Sequence, residues 1–169
     1  RAADGGVGYA KAAGNYGGSF YPTSIAQEKG YHQVIWTDAN EHKYIEEAGT
    51  MNVFVRIQDT LITAPINDRI LDGITRKSVI QIAKDLGIKI EVRPISIDEL
   101  VNASNNGSLK EIFGAGTAVV LIPITGFGYK NLDYKIESLE NSYAEKLKKT
   151  ITDIQYNISD DPYNWRMEI

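Results

Sequence analysis

Residues 75 to 86, TRKSVIQIAKDL, set Val79, Ile80, Ile82, Ala83 and Leu86 at helical spacing, with Thr75 as a cap in front and Gly87 as a stop behind. An amphipathic helix needs an apolar face to lie on, and the flanking segments read as strands that supply one. TLITAPI, residues 60 to 66, is a strand ended by Pro65, and IKIEVRPI, residues 88 to 95, alternates like a half-buried strand. HQVIWTD (32–38) and MNVFVRI (51–57) are further strands on either side of the polar stretch ANEHKYIEEAGT, and AVVLIPI (118–124) is a buried one. SFYPTSIAQEKG places a helix over about 19–29, SIDELVNAS (96–104) opens like a capping box, and SYAEKLKKTITDIQY closes the chain's regular structure as a serine-started helix. Helices and strands interspersed this irregularly favour a mixed α/β (α+β) domain over a repeating βαβ layout.

The 169 residues suit one domain, with no internal repeat and no low-complexity linker. A formal net charge of -4 offers no basic field to nucleic acid or an anionic membrane, so the expected partner is small or neutral. No apolar run reaches the roughly 18 residues of a membrane span. The absence of cysteine excludes thiolate metal sites, disulfides and cysteine nucleophiles, and is compatible with the cytoplasm. His32 and His42 are too few and too isolated to suggest a metal site. The chain opens without methionine inside a glycine-rich stretch, which reads as a piece of a longer protein.

Three glycine-containing turns stand out: EAGTMN at 47–52, LDGITR at 71–76 and FGAGTAVV at 113–120. Each is most simply a backbone device. LDGITR, however, opens the helix described above, and a helix N-terminus with a threonine hydroxyl and free N–H groups is an anion site. GAGTA can likewise turn successive N–H groups toward an anion, with the Thr117 hydroxyl beside them. Lys11, in YAKAAGNY, is a charged amine among the smallest side chains. It is either a solvated loop lysine or an amine held in a low-dielectric pocket, where it loses its proton readily and attacks a carbonyl. Pyridoxal phosphate is the cofactor that needs such a lysine together with a phosphate cradle and an acid at its ring nitrogen. Glu46 and Glu47, placed between two strands, are the acid candidates, or else a solvated acidic turn.

Taken in order, GGVGYAKAAGNYGGS, WTDANEHKYIEEAGTMNVF, LDGITR, EIFGAGTAVV and ITDIQYN resemble the C-terminal part of a branched-chain amino acid aminotransferase of the fold-type IV pyridoxal phosphate class. The resemblance runs from Arg1 to about Tyr156. It implies the cofactor-binding domain of the D-amino acid aminotransferase-like fold, a mixed sheet or pseudo-barrel with surrounding helices, spanning 1–169. It implies pyridoxal 5'-phosphate as cofactor, with Lys11 forming the Schiff base, Tyr16 bonding to the phenolic oxygen and Glu47 facing the ring nitrogen. Ile74, Thr75 and Thr117 would hold the phosphate. Thr117 and Ala118 would present N–H groups to the substrate carboxylate, and Thr50 would line the pocket.

The implied reaction is transamination of leucine, isoleucine and valine with 2-oxoglutarate, in a cytoplasmic homodimer. Two departures stand in the sequence. Asp72 occupies a place where the family commonly has proline, so it is expected to point outward; Val119 and Ile122 replace the CxxC pair of some animal members, which excludes a thiol switch. The family's N-terminal domain, with a phosphate-binding arginine, most of the side-chain pocket and dimer contacts, has no counterpart here. These residues alone are therefore expected to bind cofactor weakly and to transaminate little. A D-amino acid aminotransferase or aminodeoxychorismate lyase would use a similar lysine and glutamate, although EAGTMN and TDIQY fit the branched-chain group better. A non-catalytic module binding a metabolite or a partner would need neither.

Overall fold

A computed structural model describes residues 1–167. Its centre is strand β3 (Met51–Ile57), because MNVFVRI alternates two sets of side chains and both are covered. Val53 and Val55 point into one core with Ile62 and Ile112; Phe54 points into another with Leu61, Phe113 and Leu121. The Phe54 and Phe113 rings stack with centroids 5.2 Å apart. One edge of β3 pairs along its length with β6 (Leu109–Gly116). The other is shared by β2 (Ile45–Ala48), opposite residues 51 and 52, and β4 (Thr60–Thr63), opposite 54 to 57. β1 (Ile35–Thr37), β5 (Lys89–Val92) and β7 (Val120–Pro123) extend this to a seven-stranded mixed sheet.

The β4–β5 pair is parallel, so the chain must cross over between them, and helix α3 (Ile74–Asp85) makes the crossing. Val79, Ile82 and Ala83 of α3 pack on the Phe54 core beside Ala144, Leu147, Ile151 and Ile154 of helix α5 (Tyr143–Gln155). Helix α4 (Ile97–Asn105) and the hairpin β8 (Gly126–Tyr129) and β9 (Leu132–Lys135) cover the opposite core through Ile97, Leu100 and Phe127. Helices therefore lie on both faces of the sheet. Short α1 (Gly14–Gly17) and α2 (Phe20–Glu28) bury no residue.

The expected mixed α/β class and the helices near 19–29, 75–86, 96–104 and 142–156 are present with small shifts. The capping expectation at 96 is met, since Ser96 Oγ accepts from Glu99 N at 3.0 Å. At α3 it is not: Gly73 is the cap residue, Thr75 lies within the first turn, and no side chain caps the helix. Strand β2 corrects the polar connection expected over 39–50. Its register against β1 slips by one residue, from Trp36 opposite Glu47 to Thr37 opposite Ile45, so Glu46 is the extra residue of a bulge. FGAGTAVV is likewise only partly a turn, because Phe113–Gly116 finishes β6 and the turn proper is 117–119.

Candidate active site

The bulge in β2 puts two consecutive carboxylates in the interior, each only 3% exposed. Each has its own arginine. Arg69 pairs with Glu46 and also with Asp4, and Arg1 pairs with Glu47. Burial, with the nearby charges of Asp38 and Glu47, pushes the Glu46 carboxyl up to about 7. Burial also raises Glu47, with Arg1 and the Leu71 N–H offsetting it only in part. The acidic turn weighed above is thus replaced by two desolvated acids on a strand.

Glu47 is the more tightly framed of the two. Its Oε1 accepts from Leu71 N at 3.1 Å and from Asn52 Nδ2 at 3.4 Å, and its Oε2 faces the Arg1 guanidinium. Arg1 reaches it from the N-terminal segment, donating on the way to Gly8 O at 2.5 Å and Arg69 O at 3.1 Å. The guanidinium carbon also lies 5.7 Å from the centre of the Tyr16 ring. On that same ring the Lys11 amine lies 5.8 Å from the centre, so Arg1, Tyr16, Lys11 and Glu47 form one neighbourhood. Asn15 fixes the loop that carries the lysine, donating to Val7 O and Ala10 O at 2.9 Å each. Lys11 itself is exposed. The described residues do not build the low-dielectric pocket expected around it.

Leu71 leads from Glu47 to α3. Gly73 enters that helix in extended conformation, φ -66 and ψ 134, and among the described residues the Ile74 and Thr75 N–H groups have no side-chain cap. Thr75 is half-buried, Ile74 is 72% exposed, and Asp72 points outward to Lys77 at 2.6 Å, as expected. Thr117 and Ala118 are exposed in the turn between β6 and β7, and Thr50 is exposed beside Gly49 in the turn between β2 and β3. In the β3–β6 ladder Asn52 faces Ala115, so two residues further on Thr50 would face Thr117. Both turns therefore sit at the end of the sheet where Glu47 lies. Val120, which closes the 117–119 turn, has φ 56, a left-handed conformation costly for a β-branched residue.

Sequence reasoning singled out Lys11, Tyr16, Thr50, Glu47, Ile74, Thr75, Thr117 and Ala118, and these lie on segments that converge. It missed Arg1, Asn52 and Arg69. Asn52 carried a signal, being an amide on the buried Phe54 face of MNVFVRI; Arg1 and Arg69 carried none. The described residues include no group of acids and histidines arranged to hold a metal, and no helix among them is long and apolar enough to cross a membrane. The concavity of about 370 Å³ beside the β8–β9 hairpin, lined by Lys29, Tyr31, Tyr129, Lys130 and Asp133, includes none of the site residues.

A lysine loop, a buried acid and a helix start without a side-chain cap thus lie toward one end of a branched sheet. Residues 7–127 match the family model of amino-transferase class IV, and the chain belongs to that family. It is 45% identical, over its whole length, to a probable branched-chain-amino-acid aminotransferase of Staphylococcus epidermidis, of which it covers 48%. Among solved structures, the branched-chain amino acid aminotransferase of Escherichia coli superposes on 98% of the chain with a TM-score of 0.80 and 28% identity, the chain covering 52% of it. An aminotransferase from Brucella abortus, bound to the co-factor PLP, does so on 85% with a TM-score of 0.71 and 25% identity, 46% of it being covered. The chain thus spans about half the length of the curated relatives it matches.

Proposed function

We propose that this chain is the C-terminal, cofactor-binding domain of a longer branched-chain amino acid aminotransferase. Such an enzyme transfers the amino group of leucine, isoleucine or valine to 2-oxoglutarate with pyridoxal 5'-phosphate. The observation that carries the reading is Glu47: a buried acid with one oxygen held by Asn52 and by Leu71, which shortly precedes an uncapped helix start, and the other turned to a cation. The residues fit the group. A carboxylate whose Oε2 already takes a guanidinium accepts a protonated ring nitrogen equally well, and the free N–H groups of Ile74 and Thr75 suit a phosphate.

Pyridoxal phosphate, when bound, supplies an aldehyde that takes up amines and a protonated ring that draws off electrons. The chain's own residues do the rest. Lys11 would hold the aldehyde end and, once released, carry the proton removed from the substrate's alpha carbon. Tyr16 would donate to the phenolic oxygen, which also keeps the ring close to the small residues of the lysine loop. Glu47 would hold the proton on the ring nitrogen, and its burial keeps that pair away from water. The Ile74 and Thr75 N–H groups, with the Thr75 and Thr117 hydroxyls, would hold the phosphate. The 117–118 turn would receive the substrate carboxylate and Thr50 would border its side chain.

The exposure of Lys11 supports the view that the rest of the parent polypeptide closes this site, and that the isolated chain binds cofactor weakly. A homodimeric, cytoplasmic parent belongs to the same reading, and light scattering on the full-length protein checks the dimer. The decisive test is spectroscopic. Full-length protein mixed with pyridoxal phosphate is expected to develop an absorbance band near the visible edge that is absent in Lys11→Ala. No band in the full-length protein would overturn the reading. Strong turnover of D-alanine with none of L-leucine would move it to another member of the class.

A further inference from the structure

We propose that Asn52 is a positioning residue that ties Glu47 to the start of α3, so that the acid and the anion-holding N–H groups move as one body. The inference rests on the cofactor reading above and adds to it a coupling between the two ends of the site. Asn52 is 5% exposed and stands on β3, the strand gripped on both edges. Its Nδ2 donates to Leu71 O at 2.8 Å and reaches Glu47 Oε1 at 3.4 Å. Leu71 N donates back to that Glu47 oxygen at 3.1 Å, and Gly73 N donates to Leu71 O at 2.9 Å. Acid, amide and helix entry thus share one short chain of hydrogen bonds.

Gly73 gives a second, independent sign. Its backbone angles are ones any residue adopts, so conformation does not require glycine there. Contact does: a Cβ at position 73 would overlap Asn52 Oδ1. The helix entry is seated directly against the amide oxygen, while the amide nitrogen faces the acid. An amide buried in the sheet's central strand is costly unless its bonds are made, and here they are made to the two parts of the site.

The test uses full-length protein and two probes, pyridoxal phosphate and pyridoxal, which lacks the phosphate. Their dissociation constants are measured by absorbance in the wild type, Asn52→Ala, Gly73→Ala and the double variant. If Asn52 couples acid to cradle, the advantage of the phosphate, read as the ratio of the two constants, falls about tenfold in each single variant. The double variant is then no worse than Asn52→Ala, because the added methyl no longer meets an amide. Equal weakening of both probes, or additive losses in the double variant, would overturn the proposal and mark Asn52 as a packing residue. Should Asn52→Ala fail to fold, Gly73→Ala carries the test, and an unchanged ratio there is equally fatal. A wild type that binds neither probe overturns the cofactor reading and this proposal together; a wild type that binds both with no change in ratio on mutation overturns only this one.

Discussion

Two buried carboxylates stand at the starts of two helices, and the chain treats them differently. Glu111, at the head of α5, accepts from Arg56 Nη1 at 2.8 Å, Ser142 Oγ at 2.7 Å, Tyr143 N at 2.8 Å and Ala144 N at 3.1 Å. Burial alone would raise its carboxyl, yet these donors outweigh burial and hold it below the ordinary value. Glu47, near the head of α3, has two donors on one oxygen and Arg1 on the other, and its carboxyl is raised. The helices match their acids. Ser142 caps α5 by accepting from Glu145 N, whereas α3 starts on Gly73 with no cap. A helix start whose N–H groups are taken up by the protein is finished architecture; one left bare beside an incompletely compensated acid is available to a ligand.

The contrast can be broken in order of expected effect. Lys11→Ala in the full-length protein should lower the transamination rate by at least about a thousandfold with the fold intact, and a loss of tenfold or less in steady-state assays would contradict the site. Glu111→Ala leaves Arg56 without its buried partner and should cost about 3 kcal/mol of stability by denaturant titration. It should leave the rate per folded molecule alone. Glu47→Gln should cost about a hundredfold in rate per folded molecule, and because it leaves the buried Arg1 guanidinium without its counter-ion it should also lower the unfolding midpoint.

The pH dependence follows from the signs. The folded pKa of Glu111 lies below its unfolded value of about 4.5, so its contribution is complete above that pH and is lost as the pH falls through the folded value. Thermal melts between pH 3 and 6 should show this acid limb shallower in Glu111→Gln than in the wild type. The smallest expected effect is that of Ser142→Ala, about 1 kcal/mol for a lost cap at α5. Two-state melts check it.

Much of the scaffold could be read from local pattern, because α3, α4 and α5 each carry an apolar stripe with a glycine or serine at a boundary. Strand β2 could not, since IEEA looks polar, and its burial depends on arginines at positions 1 and 69 that lie far away in sequence. The bulge that makes Glu46 the extra residue is a matter of register between strands, which spacing along one segment does not encode. β6 was not read as a strand, because its glycines and alanine resemble a turn; Gly114 is small because the Met51 side chain lies against it. The residues proposed for the site were named as a set through the order of their motifs. Asn52 carried a signal only as an amide on the buried face of MNVFVRI; its partners, Leu71 and Glu47, are not encoded in that spacing.

The division of one β3 edge between β2 and β4 also bears on when the site can come into being. Lys11 is made more than a hundred residues before Thr117. Strand β3 is held by β6, whose residues 109 to 115 pair with 52 to 57 across an intervening stretch that holds β4, α3, β5 and α4. Such a distant pairing is slow to close, whereas α3 and the β3–β4 hairpin need only local contacts. On the ribosome, the acid and the helix entry can therefore be in place while the 117–119 turn is still unmade. On the proposed reading, cofactor would be captured only after residue 118 has emerged, and it would stabilise the newly closed sheet by binding only its finished form.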